Sequence, residues 1–251
     1  MSAESPRPWI VVPCFNEAGR LNSNEIAGLL ERPDLTVLLV DDGSTDGTPE
    51  LFKALRSDHP ARLRTLRIEE NVGKGEAVRL GMLVAIEADC TVVGYADADF
   101  ATSATELLRL LDRLLASQAG VVFGSRLLEP SAGISRRGGR QFMGTTFAAM
   151  ARRLTGMRIA DTQCGAKWFR ADLTLGRVLR QPFCSRWAFD VELFGRLRYA
   201  PIEPWTVQQF VEEPLVQWTE MPGSKLTATA KVLALASLFS VWLELRRLRQ
   251  P

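Results

Sequence analysis

Apolar and polar positions alternate in blocks along the first half of the chain. Four short apolar runs have the length and composition of buried strands: WIVVP, LTVLLV, LRTLRI and TVVGYAD. Stretches of helical character lie between them, such as CFNEAGRL after the first run and ENVGKGEAVRLGMLVAIE after the third. Strand, loop and helix in repeated order predict an α/β fold with a mostly parallel central sheet flanked by helices.

Polar loops follow each of the four predicted strands, at residues 13–17, 41–48, 71–76 and 97–102. In a parallel sheet the carboxyl ends of the strands lie at one edge, and ligands bind there. We therefore expect these four loops to line one ligand site.

The second half continues this pattern less regularly. AGVVFGSRLL is typical of a strand, and after a basic segment the pattern predicts a helix over QFMGTTFAAMARRLTG. A further helix is expected in SRWAFDVELFGRLR, and strand-like runs separated by prolines follow in PIEPWTVQQFVEEPLVQWTE. Because no linker interrupts the chain, we predict one domain over residues 1–226 and a C-terminal amphipathic helix over residues 227–251.

The apolar stretch at residues 232–243, VLALASLFSVWL, is too short for a membrane-spanning helix, which needs about twenty residues. Arginines follow it. Two interpretations stay open: a helix that lies in a membrane interface, or a final helix that packs on the domain and ends in a solvated basic tail.

Charge and cysteine content narrow the function classes. The net charge of +2 gives no reason to expect a nucleic-acid partner. Four cysteines without a C-x-x-C pair, together with a single histidine, argue against a zinc site. The first strand is expected within ten residues of the start, so no secretory signal is visible, and we expect reduced thiols in a cytoplasmic compartment.

Carboxylates and cations make up the candidate chemistry at the predicted edge. Acidic side chains two residues apart suit Mg²⁺ or Mn²⁺, and basic side chains neutralise phosphate groups. This combination predicts a nucleoside diphosphate ligand, whereas the lack of G-x-G-x-x-G and of a P-loop argues against a dehydrogenase or a P-loop NTPase. Asp41 and Asp42 are among these carboxylates, and the alternative interpretation is that they serve as turn or capping residues.

Several ordered blocks carry a family resemblance. VVPCFNEAGRL, LLVDDGSTDGT, NVGKGEAVRLGM and YADAD resemble, in order and spacing, the glycosyltransferase family 2 enzymes with a GT-A fold. GSRL, DTQCGAKWF, RWAFDVELF and WTEMPGSKL look like the dolichyl-phosphate β-glucosyltransferase subgroup and, less closely, dolichyl-phosphate mannose synthases. The resemblance covers roughly residues 9–226. It implies an inverting, metal-dependent transfer of glucose from UDP-glucose to a polyprenyl phosphate, with Mg²⁺ or Mn²⁺ as cofactor.

The resemblance also implies roles for individual residues. Asp97 and Asp99 would form the D-x-D motif, with Asp99 as the direct metal ligand. Arg186, Trp187 and Asp190 would shape the sugar and acceptor site. The implied catalytic residues are Asp97, Asp99, Arg126, Asp190 and Lys225. The implied nucleotide-sugar site consists of Pro13, Phe15, Glu17, Asp41, Asp42, Lys74, Asp97, Ala98 and Asp99.

One position departs from the mannose synthases, which often carry a glutamine two residues after the second aspartate. Ala101 occupies this position here, which favours glucose and leaves most of the metal shell to phosphate and water. The acceptor phosphate would be bound by Arg126, Arg136, Arg137 and Arg140.

The acceptor also bears on membrane association. A polyprenyl phosphate is already anionic near neutral pH, since its second pKa is roughly 6, so its transfer needs no general base. An apolar helical face follows the basic segment at Phe142, Met143, Phe147, Met150 and Leu154. We therefore expect a peripheral enzyme on the cytoplasmic face of a membrane.

Three alternatives stay open. The enzyme could transfer mannose from GDP-mannose to a polyprenyl phosphate, or could use a soluble hydroxyl acceptor with Asp190 as the base. From a different class, the chain could be a non-catalytic module that binds nucleotide sugars or anionic lipids. Judged by side-chain type alone, Trp187 and Phe189 are expected in the core, and Cys14 and Cys164 are expected to be buried.

Overall fold

A seven-stranded sheet forms the centre of the molecule. A computed structural model of the chain describes residues 7–128, 141–219 and 228–249. The strands are β1 (Pro8–Cys14), β2 (Thr36–Asp42), β3 (Leu63–Ile68), β4 (Val92–Ala96), β5 (Val121–Ser125), β6 (Ala166–Arg170) and β7 (Phe210–Pro214).

The strand order is β3-β2-β1-β4-β6-β5-β7. The four strands expected in the first half are confirmed, and they pair in parallel. β6 runs antiparallel to both of its neighbours, β4 and β5, whereas β5 and β7 are parallel. The strands β1, β2, β3 and β4 therefore end at a common edge, as the loop pattern predicts.

Strand β6 was not predicted. Its sequence, AKWFR, carries two cations in five residues, which hides its character as a central strand. Lys167 is nevertheless fully buried. Arg170 is half-buried and bonds the carbonyl oxygens of Leu114 and Ser117 at the end of a neighbouring helix. Tertiary contacts thus override the local polar signal here.

Helices cover both faces of the sheet. They are α1 (Ser23–Leu30), α2 (Thr48–Asp58), α3 (Lys74–Glu87), α4 (Ala104–Leu115), α5 (Gln141–Thr155), α6 (Leu173–Leu179), α7 (Phe189–Arg198) and α8 (Ala228–Leu248). None of the helices in the described ranges combines the length and the hydropathy that crossing a bilayer requires.

The first helix begins later than the pattern predicts. The expected helical start at CFNEAGRL is wrong, because β1 extends to Cys14 and turns follow up to Arg20. Helix α1 begins at Ser23 instead, where the Asn22 side chain accepts a hydrogen bond from the amide of Asn24. Because this N-cap fixes the start of the helix at Ser23, the residues before it remain a loop at the sheet edge.

The core consists of three hydrophobic clusters. One lies between the sheet and helices α1, α2 and α4, and another lies between the opposite face and helices α3, α6 and α7. The third joins α5, α7 and α8 through Leu154, Val191, Leu238, Val241 and Leu245. The C-terminal helix is therefore present and packs on the rest of the chain over its second half. The predicted boundary after residue 226 lies outside the described residues and stays a prediction.

The packing of α3 on the sheet requires a glycine. A Cβ added at Gly81 would lie 2.5 Å from Val11 Cγ1 and 3.0 Å from Val40 Cγ2. The Gly81→Ala variant is therefore expected to lower the free energy of unfolding by about 1–3 kcal/mol through overpacking, although alanine is the better helix former. Urea denaturation followed by circular dichroism measures this change.

Gly176 in α6 provides the matched control, since a Cβ there would meet no atom within 4 Å. Gly176→Ala is expected to raise the free energy of unfolding by up to about 1 kcal/mol. Equal effects of the two substitutions would contradict the assignment of Gly81 to a close helix–sheet contact.

Candidate functional site

A cleft of about 440 Å³ lies at the carboxyl ends of the parallel strands. Its lining comes from β1 and the loop after it, from the loops after β2, β3 and β4, from the start of α3 and from the segment before α7. The residues that line it are Pro13, Cys14, Phe15, Glu17, Arg20, Asp42, Asn71, Gly73, Lys74, Asp97, Ala98, Asp99, Arg186 and Trp187. Most of the predicted nucleotide-sugar residues are therefore brought together.

Hydrogen bonds join the loop after β1 to the loop after β2. The amide of Asn16 donates to Ser44 Oγ at 2.9 Å, and the amide of Glu17 donates to Thr48 Oγ1 at 2.9 Å. The Asn16 side chain in turn accepts from the amide of Thr45 at 2.9 Å. These bonds fix one wall of the cleft, on which the ring of Phe15 is partly exposed.

The two aspartates at the end of β2, Asp41 and Asp42, accept hydrogen bonds from neighbouring loops. Asp41 accepts the Ser44 amide at 2.9 Å and an Arg67 guanidinium, and it does not line the cleft. Its contacts match the alternative interpretation as a turn residue rather than a contact with the nucleotide. Asp42 does line the cleft.

Asp42 organises the loop before α3. Its carboxylate accepts hydrogen bonds from the amides of Val72 and Gly73 at 2.8 and 2.9 Å and from the Asn71 side chain at 3.0 Å. Burial raises the pKa of Asp42, while these two amides act in the opposite direction. The carboxylate thus fixes the loop before α3, and the predicted place of Asp42 in the nucleotide-sugar site stays a prediction.

The D-x-D turn forms the floor of the cleft. The Asp97 amide donates to the Gly165 carbonyl at 3.1 Å, and the Asp97 carboxylate pairs with the Lys74 ammonium. A Cβ at Gly165 would collide with that carboxylate, so only glycine fits beneath it. Asp99 accepts the Ala101 amide at 3.1 Å and lies 3.9 Å from Arg20 Nη2.

Charges around this floor are paired one to one. Lys74 pairs with Asp97, Lys167 Nζ lies 2.7 Å from Asp190 Oδ1, and Arg126 Nε lies 2.7 Å from Asp161 Oδ2. Asp99 lies at the mouth with its side chain about one third exposed, 3.9 Å from Arg20 Nη2. The lining of the cleft as a whole carries four carboxylates, Glu17, Asp42, Asp97 and Asp99, against three cations, Arg20, Lys74 and Arg186.

The pKa shifts follow from these pairs. Burial opposes the charge on Lys74, yet the carboxylates of Asp97, Asp190 and Asp99 together outweigh it, and the pKa of Lys74 is raised. Burial also opposes the charge on Asp97, but Lys74 lowers the pKa of that carboxyl. Burial, followed by the negative charge of Asp97, raises the pKa of Asp99. A cation bound beside Asp99 would relieve this repulsion.

Two carboxylates on a turn offer hard oxygen ligands of the kind that Mg²⁺ and Mn²⁺ take. Within the described ranges, no cluster of three or more His, Cys, Asp or Glu side chains forms a complete metal site. An ion held by Asp99 and Asp97 would therefore complete its shell with ligand and water oxygens, and the residues present fit such an ion.

Arg126 lies outside the lining of the cleft. Its guanidinium makes a bidentate pair with Asp161, at 2.7 and 2.9 Å, and lies 5.7 Å from the centre of the Trp218 ring. Although burial opposes both charges, the pair raises the pKa of Arg126 and lowers that of Asp161. The arginine is thus held in one orientation beside the site.

Four predicted residues, Lys225, Arg136, Arg137 and Arg140, lie outside the described residues. The segment that leads toward Lys225 can be followed up to its last described residue. There, the Thr219 amide donates to the Ala101 carbonyl at 3.0 Å. The chain therefore enters this segment beside the D-x-D turn.

Asp190 is buried, and it is not among the residues that line the cleft. Its carboxylate receives hydrogen bonds from the Tyr95 hydroxyl and from Gln163 Nε2, in addition to the ion pair with Lys167. These contacts suit a group that holds neighbouring elements together, and the predicted role as a base stays a prediction.

Reasoning from the sequence missed some residues and misplaced one. Lys167, Asp161 and Arg20 were not singled out, although a lysine inside the apolar run of AKWF was an available signal. Phe189, Cys14 and Cys164 are buried as expected, whereas Trp187 is 38% exposed and lines the cleft. The core assignment of Trp187 is therefore wrong, because it lies on the exposed segment just before α7.

Known proteins share both sequence and fold with this chain. The model of the family "Glycosyl transferase family 2" matches residues 9–175. A dolichyl-phosphate beta-glucosyltransferase of Drosophila melanogaster is 34% identical, over 93% of this chain and 73% of the relative. One from Dictyostelium discoideum is 32% identical, over 90% and 71%. A polyprenol monophosphomannose synthase of Mycolicibacterium smegmatis is 30% identical, over 76% and 71%.

Solved structures agree on the fold. Glucosyl-3-phosphoglycerate synthase from Mycobacterium tuberculosis in complex with Mn²⁺, UDP-glucose and phosphoglyceric acid has a TM-score of 0.67 at 18% identity. The match covers 95% of this chain and 80% of that chain. The same enzyme in complex with UDP also gives a TM-score of 0.67, at 17% identity. At this level of identity the likeness concerns the fold.

Proposed function

Because this chain belongs to glycosyltransferase family 2 and has the GT-A fold, we propose that it transfers glucose from UDP-glucose to a polyprenyl phosphate, with inversion at the anomeric carbon. One observation carries the proposal: a single cleft combines the D-x-D turn, the cation Lys74 and the loops that the family resemblance assigns to the nucleotide. Family membership also makes the chain an enzyme rather than a non-catalytic binding module.

The donor end of the reaction uses the floor of the cleft. Asp99, with Asp97 beside it, would hold Mg²⁺ or Mn²⁺, and the bound ion would supply charge neutralisation for the departing diphosphate. Lys74 lies at the same floor and adds a fixed positive charge. The solved complexes of the mycobacterial synthase contain Mn²⁺ and UDP-glucose, which supports this assignment.

The acceptor end needs positioning rather than proton removal. A phosphomonoester is largely dianionic at neutral pH because its second pKa is roughly 6, so its oxygen attacks without a base. Arg126, held by Asp161, would bind the acceptor phosphate together with Arg136, Arg137 and Arg140. The buried position of Asp190 agrees with a mechanism that uses no base. Relatives named dolichyl-phosphate beta-glucosyltransferases support the choice of acceptor.

Transfer of mannose from GDP-mannose is the second candidate. The mycolicibacterial relative named as a polyprenol monophosphomannose synthase favours it. Ala101 favours glucose instead, because its methyl side chain offers no ligand to a metal ion. Its contact with Asp99 is made by the backbone amide. Glucose therefore leads.

A lipid acceptor requires access to a membrane surface, and we place that surface at α8. Phe239 and Leu243 are 62% and 42% exposed on this helix. Arg246 and Arg247 follow on its last turn and are exposed. An apolar face flanked by arginines suits an anionic bilayer surface, so the enzyme would be peripheral at the cytoplasmic face.

The donor is tested by thermal shift with UDP-glucose, UDP-galactose, GDP-mannose and UDP-GlcNAc, each with Mn²⁺ and with EDTA. UDP-glucose with Mn²⁺ is expected to raise Tm most, because the proposed donor should bind most tightly. A ligand at one hundred times its Kd stabilises the folded state by about 2.7 kcal/mol. EDTA should remove most of that shift, as should the Asp99→Asn variant in Mn²⁺. Stabilisation by GDP-mannose alone would contradict the proposed donor.

Membrane binding is tested by sedimentation with anionic vesicles. The Phe239→Ser/Leu243→Ser variant should bind the vesicles at least tenfold more weakly, since losing burial of one large apolar side chain costs about 1.5–3 kcal/mol. Leu173→Ser is the control, because Leu173 on α6 is 70% exposed outside the proposed face. A wild-type protein that never sediments with the vesicles would exclude the membrane assignment.

A further inference from the structure

Lys167 is a fully buried lysine at the centre of the sheet. Its ammonium lies 2.7 Å from Asp190 Oδ1, donates to the Cys164 carbonyl and lies 5.2 Å from the centre of the Tyr95 ring. Replacing a buried ion pair with apolar side chains is often neutral or stabilising, so stability alone gives weak grounds for it. The position of this pair directly behind the D-x-D turn suggests a reason connected with the site.

One set of contacts leads from Lys167 to the D-x-D turn. The Cys164 carbonyl that accepts its hydrogen bond immediately precedes Gly165, whose carbonyl accepts the Asp97 amide at 3.1 Å. The Asp97 carboxylate lies so close above Gly165 that a Cβ would not fit between them. Lys167 therefore fixes the backbone on which Asp97 rests.

The other set of contacts leads to α7. Asp190 lies in the first turn of this helix and is held by Lys167, Tyr95 and Gln163. Next to it, the Phe189 ring lies 5.8 Å below the ammonium of Lys74, which pairs with Asp97. The Lys167–Asp190 pair thus supports Asp97 through Gly165, and it supports Lys74, the ion-pair partner of Asp97, through α7.

We propose that Lys167 is a positioning residue for the metal site, which fixes Asp97 through the Cys164–Gly165 turn and fixes Lys74 through Asp190. This inference rests on the proposed function, because it takes Asp97 and Asp99 as the groups that hold the divalent ion. Residues that orient metal ligands in this way contribute about 10–100-fold to metal affinity or activity in other proteins.

The test compares Mn²⁺ affinity in the presence of UDP, measured from the electron paramagnetic resonance signal of free Mn²⁺. The Lys167→Met/Asp190→Asn variant removes both charges at nearly constant volume. The amide oxygen that replaces one carboxylate oxygen can still accept the hydrogen bond of the Tyr95 hydroxyl, and the new NH2 group can donate to Gln163 Oε1 once the Gln163 amide turns over. Its Kd for Mn²⁺ is expected to rise about 10–100-fold, and kcat with UDP-glucose should fall similarly. Lys53→Met, at an exposed lysine on α2, is the matched control and should leave both unchanged.

The outcomes separate this inference from the proposed function. If the wild-type protein does not bind Mn²⁺ with UDP, the proposed function fails. If the wild type binds Mn²⁺ and the folded double variant binds it within twofold of the same Kd, only the role of Lys167 is overturned. A double variant that does not fold, judged by circular dichroism, also overturns it, since the pair would then belong to the framework of the fold.

Discussion

Three carboxylates around the floor of the cleft, Asp97, Asp161 and Asp190, each lie against a cation from a different element. An unpaired charge at the buried Asp161 or Asp190 would cost several kcal/mol. Each pair therefore restricts where its two elements can lie. Lys74 ties α3 to β4, Arg126 ties β5 to the segment before β6, and Lys167 ties β6 to α7. The elements that enclose the cleft are therefore placed by charge pairing as well as by apolar burial.

This pairing also explains the electrostatics of the cleft. Beside these three neutralised carboxylates, Asp99 shares the cation Arg20 with Glu17. The pKa of Asp99 is raised by burial and by the negative charge of Asp97. Such a site favours a divalent cation, which a nucleoside diphosphate would then complete with its own oxygens. By itself a D-x-D pattern is ambiguous. The charged residues around this turn are what make it a candidate metal site.

Local pattern was sufficient for part of the structure. The strands β1, β2, β3 and β4 and the loops that follow them could be predicted, because each is a short apolar run closed by turn-forming residues. Helix α4 shows a leucine stripe at positions 107, 110, 111 and 114 and could also have been predicted. Its assignment needs only helical periodicity.

The remaining features depend on residues far apart in the chain. Nothing near Lys167 in the sequence indicates that Asp190 will neutralise it, so strand β6 looked too polar for a central strand. Asp161 likewise gains its role only through Arg126, which lies 35 residues earlier. The exposure of Trp187 follows from the position of the segment before α7, which no local pattern specifies. Periodicity reports burial of apolar side chains, whereas these residues are placed by tertiary charge pairing.

The central claim is that the charged floor of this cleft supports glucosyl transfer to a lipid phosphate with the help of a divalent ion. The most direct measurement incubates the purified protein with UDP-glucose, a polyprenyl phosphate and Mn²⁺, and analyses the lipid product by mass spectrometry and by NMR of the anomeric proton. We expect a β-linked glucosyl phosphate formed in equal amount to UDP, and none of it in EDTA. An α-linked product, or glucose transfer that proceeds unchanged in EDTA, would contradict the account.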